Sequence, residues 1–536
     1  MSIEGSKSKD YKSITPPSKP VANATGDKPL LSSVRSPKKA EPGNRSLDNL
    51  SYNYEKKPDP EERFALPGVA EMTISSASVG EATVTEANGS AAPTESNKKT
   101  KRGIRDLSLL YKDRWLIRNG HLITYIGLYL FSVLVLFRPY EIVPGLGFLV
   151  ATAFYFAAAT LAIYLPSQVL AESNLTVFST EVKAILVMTF IAIATIPIAK
   201  DPGTAWERFN DPYIKAVVIF IVLVNVVRTR KRLMGLMWLS LGIAVYLSFA
   251  AMDMYMNGQF RVEAYRVAVD VGGMFGNPNE MALHLVMMTP IVIALAIASK
   301  RGVMRWIYFV MAALFVGAIM VTFSRGGFLG LVACMAVLAW KLGRKYRLNV
   351  TIASVVVLGL TILSSPENYG RRMLSIFFRG LDPAGSSDQR RELLERSILV
   401  TARNPWGIGI GNFPLVGVHN LGTHNAFTQV STELGILGLV AYLVFMISPF
   451  RKLRAVERIQ FEADDLDWFY YLAVGLQASI VGFWVSSFFA SVAYNWFIYY
   501  LIAYAVAFRR IYSLEKGLKE DVKAKSLWEW PRPEAA

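Results

Sequence analysis

From residue 122 to residue 508 the chain is a succession of apolar runs, each close to the length of a bilayer-crossing helix, joined by polar or charged connections. A helix rises about 1.5 Å per residue and the hydrocarbon core is about 30 Å thick, so about 20 apolar residues cross it. Runs of this kind, one after another, exclude a water-facing globule, and the 53% hydrophobic and 18% charged content agrees. The runs fall at 122–137, 146–165, 182–199, 213–227, 233–252, 281–299, 304–323, 328–340, 350–364, 424–447, 468–489 and 492–508. The reading is an all-α, multi-pass membrane protein of about twelve transmembrane helices.

Loop charge orients these spans. Clusters around Arg228–Arg232, Lys300–Arg305, Lys341–Arg347, Arg451–Arg458 and Arg509–Arg510 fall on one side of the count, which makes that side and both termini cytoplasmic. The other side receives the Ser324-Arg325-Gly326-Gly327 turn, the connection 253–280 and one long outer-face loop, 366–423. Residues 1–112 are rich in Ser, Pro, Lys, Glu and Gly without an apolar period, and read as a disordered cytoplasmic tail that is not a cleaved secretory signal. The transmembrane domain is expected over 113–510, followed by a cytoplasmic C-terminal tail, 511–536. The basic stretch KKTKRGIRDLSLLYKDRWLIR suits a segment lying on an anionic leaflet, or a stop that orients the first span. The net charge of +16 is accounted for by loop ends, so no nucleic-acid partner is implied. The single cysteine, Cys334, excludes an internal disulfide.

Charges that break the orientation rule carry the functional signal. Arg325 lies in a tight turn on the face that should be poor in cations, and the outer loop adds Arg371, Arg372, Arg379, Arg390, Arg391, Arg396 and Arg403. Guanidinium groups match phosphate oxygens and stay charged when partly desolvated. The bland readings are a snorkelling side chain for Arg325 and solvated surface for most of the others. His424-Asn425 heads a long apolar run, where an imidazole could accept a proton near neutral pH. His419 competes with it, whereas His284 and His121 read as packing and interfacial residues. Residues 386–403 read as a helix along the membrane surface, stopped at Pro405. The Gly-rich GIGIGNF after it has no preceding strand, so a nucleotide site is set aside. Glu433, nine residues beyond His424 and on the opposite side of a helix, reads as structural. Asn277, Pro278, Asn279 and Glu280 cap another span on the outer face and either line the site or serve as an ordinary cap. Arg261 and Arg266 could hold diphosphate or lipid headgroups.

The order FGNPNEMAL, TFSRGGFLGL, SSDQRRELLERSILVTARNPWGIGIGNF and THNAFTQVSTELGILGL resembles the O-antigen ligase and Wzy-type polymerase superfamily of membrane glycosyltransferases. The resemblance covers roughly 122–508, and its most specific piece is His424-Asn425, nine residues, then Gly435-x-x-Gly438. It implies a GT-C-like fold in a bacterial cytoplasmic membrane. It also implies transfer of a glycan from an undecaprenyl-pyrophosphate carrier to a lipid or glycan acceptor hydroxyl on the outer face. The family's first essential arginine matches Arg325, and its loop arginine matches Arg390, with Arg391 an off-by-one rival. Leu394 stands where the family often has tryptophan.

The chemistry can be built from the residues as well. A pyrophosphate-linked sugar needs its leaving group neutralised and an acceptor hydroxyl aligned. Arg325 and Arg390 can do the first without a metal, and His424 can take the hydroxyl proton or orient the acceptor. Direct displacement would invert the anomeric centre. Asn425, Arg391, Arg266, Asn277 and Asn279 are candidate substrate-binding residues; no metal site and no cofactor are expected. Two other classes compete: a transporter, which would show broken helices and paired charges near the midplane, and a scaffold whose tail recruits cytoplasmic partners.

Overall fold

A computed structural model describes residues 120–517 apart from 143–144, 148, 173, 261, 264, 270, 272–274, 345–347, 349–351, 353–358, 360–368, 377, 379–384 and 419. The expected tail 1–112, Arg261, Arg379 and His419 lie outside the described residues, as does the apolar run 350–364 apart from Ile352 and Gly359. Among the described residues the chain is helical, and an isolated bridge between Val262 and Arg266 is the one extended pairing.

The helices that place the site are α1 (Gly120–Phe137), α2 (Leu149–Glu172), α3 (Thr180–Thr195), α4 (Pro202–Val226), α5 (Arg230–Met256), α6 (Pro278–Ala298), α7 (Gly302–Val321), α8 (Arg325–Leu342), α9 (Ser386–Arg403), α10 (Ala426–Glu433), α11 (Gly435–Glu462), α12 (Trp468–Ser487) and α13 (Trp496–Glu515). Many begin at a residue whose side chain accepts from the first free amides. Thr229 accepts from Arg232 N, Asn277 from Asn279 N, Ser324 from Gly327 N, and Asp467 from Phe469 N and Tyr470 N. The first amides of a helix have no partner of their own, and such a cap contributes about 1 kcal/mol. Helix α6 adds Pro278 just inside its start, where a missing N–H does no harm. Helices α6, α8 and α12 pack on one another, α7 lies against α5 and α6, and α11 is wedged between α3 and α12.

Eight of these helices are long and apolar enough to cross a membrane: α1, α4, α5, α6, α7, α8, α11 and α12. The protein is therefore a multi-pass membrane protein. Of the four other expected runs, 350–364 lies almost wholly outside the described residues, and the remaining three fall short for physical reasons. Helix α3 has 16 residues, and in α2 the apolar stretch is the shorter Phe154–Val169.

Helix α13 is long enough but carries Tyr499, Tyr500, Tyr504, Tyr512 and the pair Arg509-Arg510. It tolerates them because nearly all of it is buried among other helices rather than facing lipid. Tyr500 shares a 2.8 Å hydrogen bond with Ser132, and Tyr504 shares one of 2.7 Å with Ser240. Arg509, 1% exposed, meets Glu181 of α3 at 3.2 Å, and Lys452 of α11 meets the same carboxylate at 3.1 Å. A second buried carboxylate, Glu457, joins Lys341 and Arg344 from the far end of α8. The helix also runs to Glu515, past the expected domain edge at 510.

The run expected to be one span over 424–447 is broken. Helix α10 ends at Glu433, Leu434 leaves helical geometry, and Gly435 opens α11 at φ +73°. The Gly-rich stretch after Pro405 fills the break: Ile408 N donates to Thr432 O at 2.9 Å, Gly409 N to Glu433 O at 3.0 Å, and Ile436 N to Pro405 O at 2.9 Å. A break in an apolar bundle frees carbonyls that must find donors, and this stretch supplies them. Side chains are excluded where the strands of backbone cross. A Cβ on Gly435 would lie 2.4 Å from Pro405 O, and one on Gly407, at φ +94°, 2.5 Å from Glu433 O.

Candidate active site

The Ser324-Arg325-Gly326-Gly327 turn is built from its capping bonds outward. Helix α7 ends at Val321, Phe323 takes a left-handed φ of +51°, and Ser324 caps α8. The freed carbonyls at the end of α7 attract two guanidinium groups: Arg266 Nε donates to Thr322 O at 2.9 Å and Arg372 Nε to Phe323 O at 2.9 Å. Both arginines are tied by Glu263, at 3.3 Å and 2.9 Å. Asn279 Oδ1 then accepts from Arg266 Nη2 at 2.8 Å and from Ser324 Oγ at 2.9 Å. Arg266 and Asn279 thus hold the turn that presents Arg325. Burial pulls the Arg266 pKa down, Glu263 opposes this, and the nearby charge of Arg325 adds to the lowering. Asn277 is exposed and spends its side chain on the α6 cap.

Arg325, 7% exposed, extends from this turn to α9, where its Nη1 donates to Ser387 Oγ. Arg390 lies one turn further along α9, and its charge reaches His424. Burial first, and Arg390 second, hold the His424 imidazole below its ordinary pKa. The lowering favours the unprotonated ring, the form that can accept a proton. Arg391 faces elsewhere: it pairs with Glu395 at 2.9 Å, both side chains about 60% exposed. Of the two adjacent candidates, Arg390 is the one whose charge lowers the imidazole pKa.

His424 stands at φ +50°, an uncommon conformation for a residue with a side chain. Asn425 caps α10, its Oδ1 accepting from Phe427 N at 2.9 Å and Thr428 N at 3.1 Å. This accounts for the asparagine of the motif as the residue that starts the helix behind the imidazole. Glu433 closes the same helix, buried, with burial pushing its carboxyl up to about 7. The charge that acts on His424 is that of Arg390. His284 is packed between Phe275 and Phe497, ring centroids 5.2 Å and 6.0 Å away, and His121 is buried in α1.

Arg325 is thus tied to α9, the helix that also carries Arg390, with Arg266 and Asn279 behind Arg325, and the charge of Arg390 acts on the His424 pKa. Sequence reasoning did not single out Glu263 or Ser387, whose roles come from partners far along the chain. Arg372 stood out there only as one of several loop arginines. Among the described residues no group of three or more His, Cys, Asp or Glu side chains could hold a metal ion.

A protein-family model described as O-antigen ligase matches residues 309–443. This segment includes Arg325, Ser387, Arg390, His424 and Gly435, and over it the resemblance to the O-antigen ligase and Wzy-type superfamily holds. It supports membrane glycan transfer of ligase or polymerase type in general. No curated protein matches the chain.

Proposed function

We propose that this multi-pass protein, carrying its O-antigen ligase segment over residues 309–443, transfers a glycan from an undecaprenyl-pyrophosphate carrier to an acceptor hydroxyl. One observation carries the reading. Arg325 bonds Ser387, one helical turn before Arg390, and the charge of Arg390 reaches His424. In this reading two cations and an imidazole are drawn from three separate parts of the chain, with α9 carrying both Arg390 and the partner of Arg325. In the reaction His424 takes the proton of the acceptor hydroxyl, whose oxygen attacks the anomeric carbon as the bond to the pyrophosphate breaks. The guanidinium groups receive the charge that grows on the leaving group, the task a divalent cation performs elsewhere. Attack opposite the leaving group inverts the anomeric centre. The site belongs to the outer face of a bacterial cytoplasmic membrane, with both termini inside, because Lys341, Arg344, Lys452 and Arg509 crowd the end of the bundle away from Arg325.

The broken helix at Leu434 is a feature a transporter would share. Its freed carbonyls are already bonded by residues 408 and 409, so the break offers no ion-binding backbone. A ligase and a polymerase are separated by what accumulates when the protein is removed from its cell. A ligase leaves long glycan on the lipid carrier, and a polymerase leaves single repeat units; unchanged carrier-linked glycan overturns both.

The loop arginines give a sharper test. Arg390→Ala is expected to lower transfer by on the order of a hundredfold, while Arg391→Ala stays within about twofold because its partner is a solvent-exposed glutamate. Arg390→Ala also removes a charge that depresses the imidazole pKa. The acid limb of the pH profile, where transfer is lost as His424 protonates, should move to higher pH in that variant. A profile unchanged from wild type would detach His424 from the proton transfer.

A further inference from the structure

We propose that Ser491, in the connection between α12 and α13, is the positioning residue that holds the backbone of His424 and so fixes where its imidazole is presented. This rests on the glycan-transfer reading above. The backbone N–H of His424 donates to Ser491 Oγ at 2.8 Å. Ser491 Oγ also lies 3.2 Å from Thr423 Oγ1, and the Thr423 hydroxyl donates to Asn425 O at 2.8 Å. The Thr423 proton is thereby used, so the Ser491 hydroxyl donates to Thr423 while accepting from His424. One serine therefore grips the residues on both sides of the peptide that precedes the imidazole, and it does so where the chain takes a left-handed turn at φ +50°. That conformation is unfavourable for histidine and persists only where the surroundings impose it. Gly422 leaves room for the grip, since a Cβ there would come within 3.0 Å of Ser491 Oγ.

The same connection also touches the other half of the site. Ser486 Oγ, at the end of α12, donates to Gly326 O at 3.1 Å, and a Cβ on Gly326 would lie 2.8 Å from the Phe489 Cβ. Gly326 directly follows Arg325. Further on, Ala493 N donates to Gln429 Oε1 of α10 at 3.2 Å, and Asn495 Nδ2 to Glu280 Oε2 of α6 at 3.0 Å. Residues 486–491 thus touch Gly326 at Ser486 and Phe489 and His424 at Ser491, so one short connection contacts the neighbours of both the cation and the imidazole. This connection lies beyond residue 443, outside the segment matched as O-antigen ligase.

The test uses the full chain reconstituted in proteoliposomes, with carrier-linked glycan and acceptor lipid extracted from cells lacking the protein. Ser491→Ala is expected to lower kcat by tenfold or more, on the order of what a small misplacement of a reacting group does, with the donor KM changed less than about twofold. Ser491→Thr, which keeps the hydroxyl, is expected to recover most of kcat. Wild-type kcat in Ser491→Ala overturns the proposal, as does a rise in KM at constant kcat. A Thr variant as impaired as the Ala variant overturns it too, because the hydroxyl is then not what matters. His424→Ala, measured alongside, separates this from the parent reading: full transfer in that variant removes the imidazole from the chemistry, whatever Ser491 does.

Discussion

Replacing His424 with alanine is expected to reduce glycan transfer by roughly 10²–10⁴-fold, the usual contribution of a positioned general base, while the protein inserts and purifies as before. The expectation follows from where the side chain sits. The structural duties around it belong to neighbours: Asn425 caps α10, and the His424 backbone, not its ring, bonds Ser491. Removing the ring leaves both intact. Arg325 differs, because its guanidinium is buried and bonds Ser387. Arg325→Lys should therefore lose transfer nearly as completely as Arg325→Ala, since an ammonium on a shorter, single-pronged group cannot keep the Ser387 bond and face a diphosphate together. Transfer assayed on equal amounts of monodisperse protein decides the matter. Wild-type rates in His424→Ala, or full activity in Arg325→Lys, would each remove that residue from the proposed mechanism.

Gly435→Val is expected to be the most destabilising single substitution near the site, by more than about 4 kcal/mol, because it combines a forbidden conformation with a collision against backbone. A Cβ at residue 435 would stand 2.4 Å from Pro405 O and 2.5 Å from Trp406 C, neither of which can rotate away. Relief would require separating the Gly-rich stretch from the broken helix, and with it the bonds to Thr432 and Glu433. Gly258 provides the control. Its φ is +64°, yet nothing lies within 4 Å of a Cβ built there. Gly258→Ala should therefore show only the conformational penalty, about 1–2 kcal/mol. Melting temperatures in detergent compare the two, and equal losses would mean that the crossing at Gly435 is not the constraint.

Much of the site could be read in the sequence because charge at the edge of an apolar run is a local signal. Arg325 and His424 stand out in that way, and neither reading needs knowledge of distant residues. Arg390 and Arg391 are neighbours in the chain, and what distinguishes them in the structure is the exposed pairing of Arg391 with Glu395 and the effect of the Arg390 charge on His424. The break at Leu434 was hidden because apolar residues continue on both sides of Gly435, and the stretch that fills it enters from 405–409. Ser491 was hidden for a related reason. Its surroundings, Phe489-Ala490-Ser491-Val492, resemble any helix end, and its importance comes from a bond across 67 residues to a backbone amide. The polar inventory of α13 disguised a helix whose surface is covered by protein on nearly every side.

That last helix has a consequence for how the protein is made. A segment bearing Arg509, Arg510 and several tyrosines partitions poorly into lipid by itself, each arginine opposing insertion by about 2.5–3.5 kcal/mol near a helix centre. It must be received by a groove that earlier helices have already formed, where Glu181 waits with Lys452 beside it. Until the ribosome has delivered residue 509, that carboxylate lacks one of its two cations. The helix that follows Ser491 thus arrives after Arg325, Arg390 and His424, and a nascent chain stopped before residue 491 would hold those candidate residues without the brace for the His424 backbone.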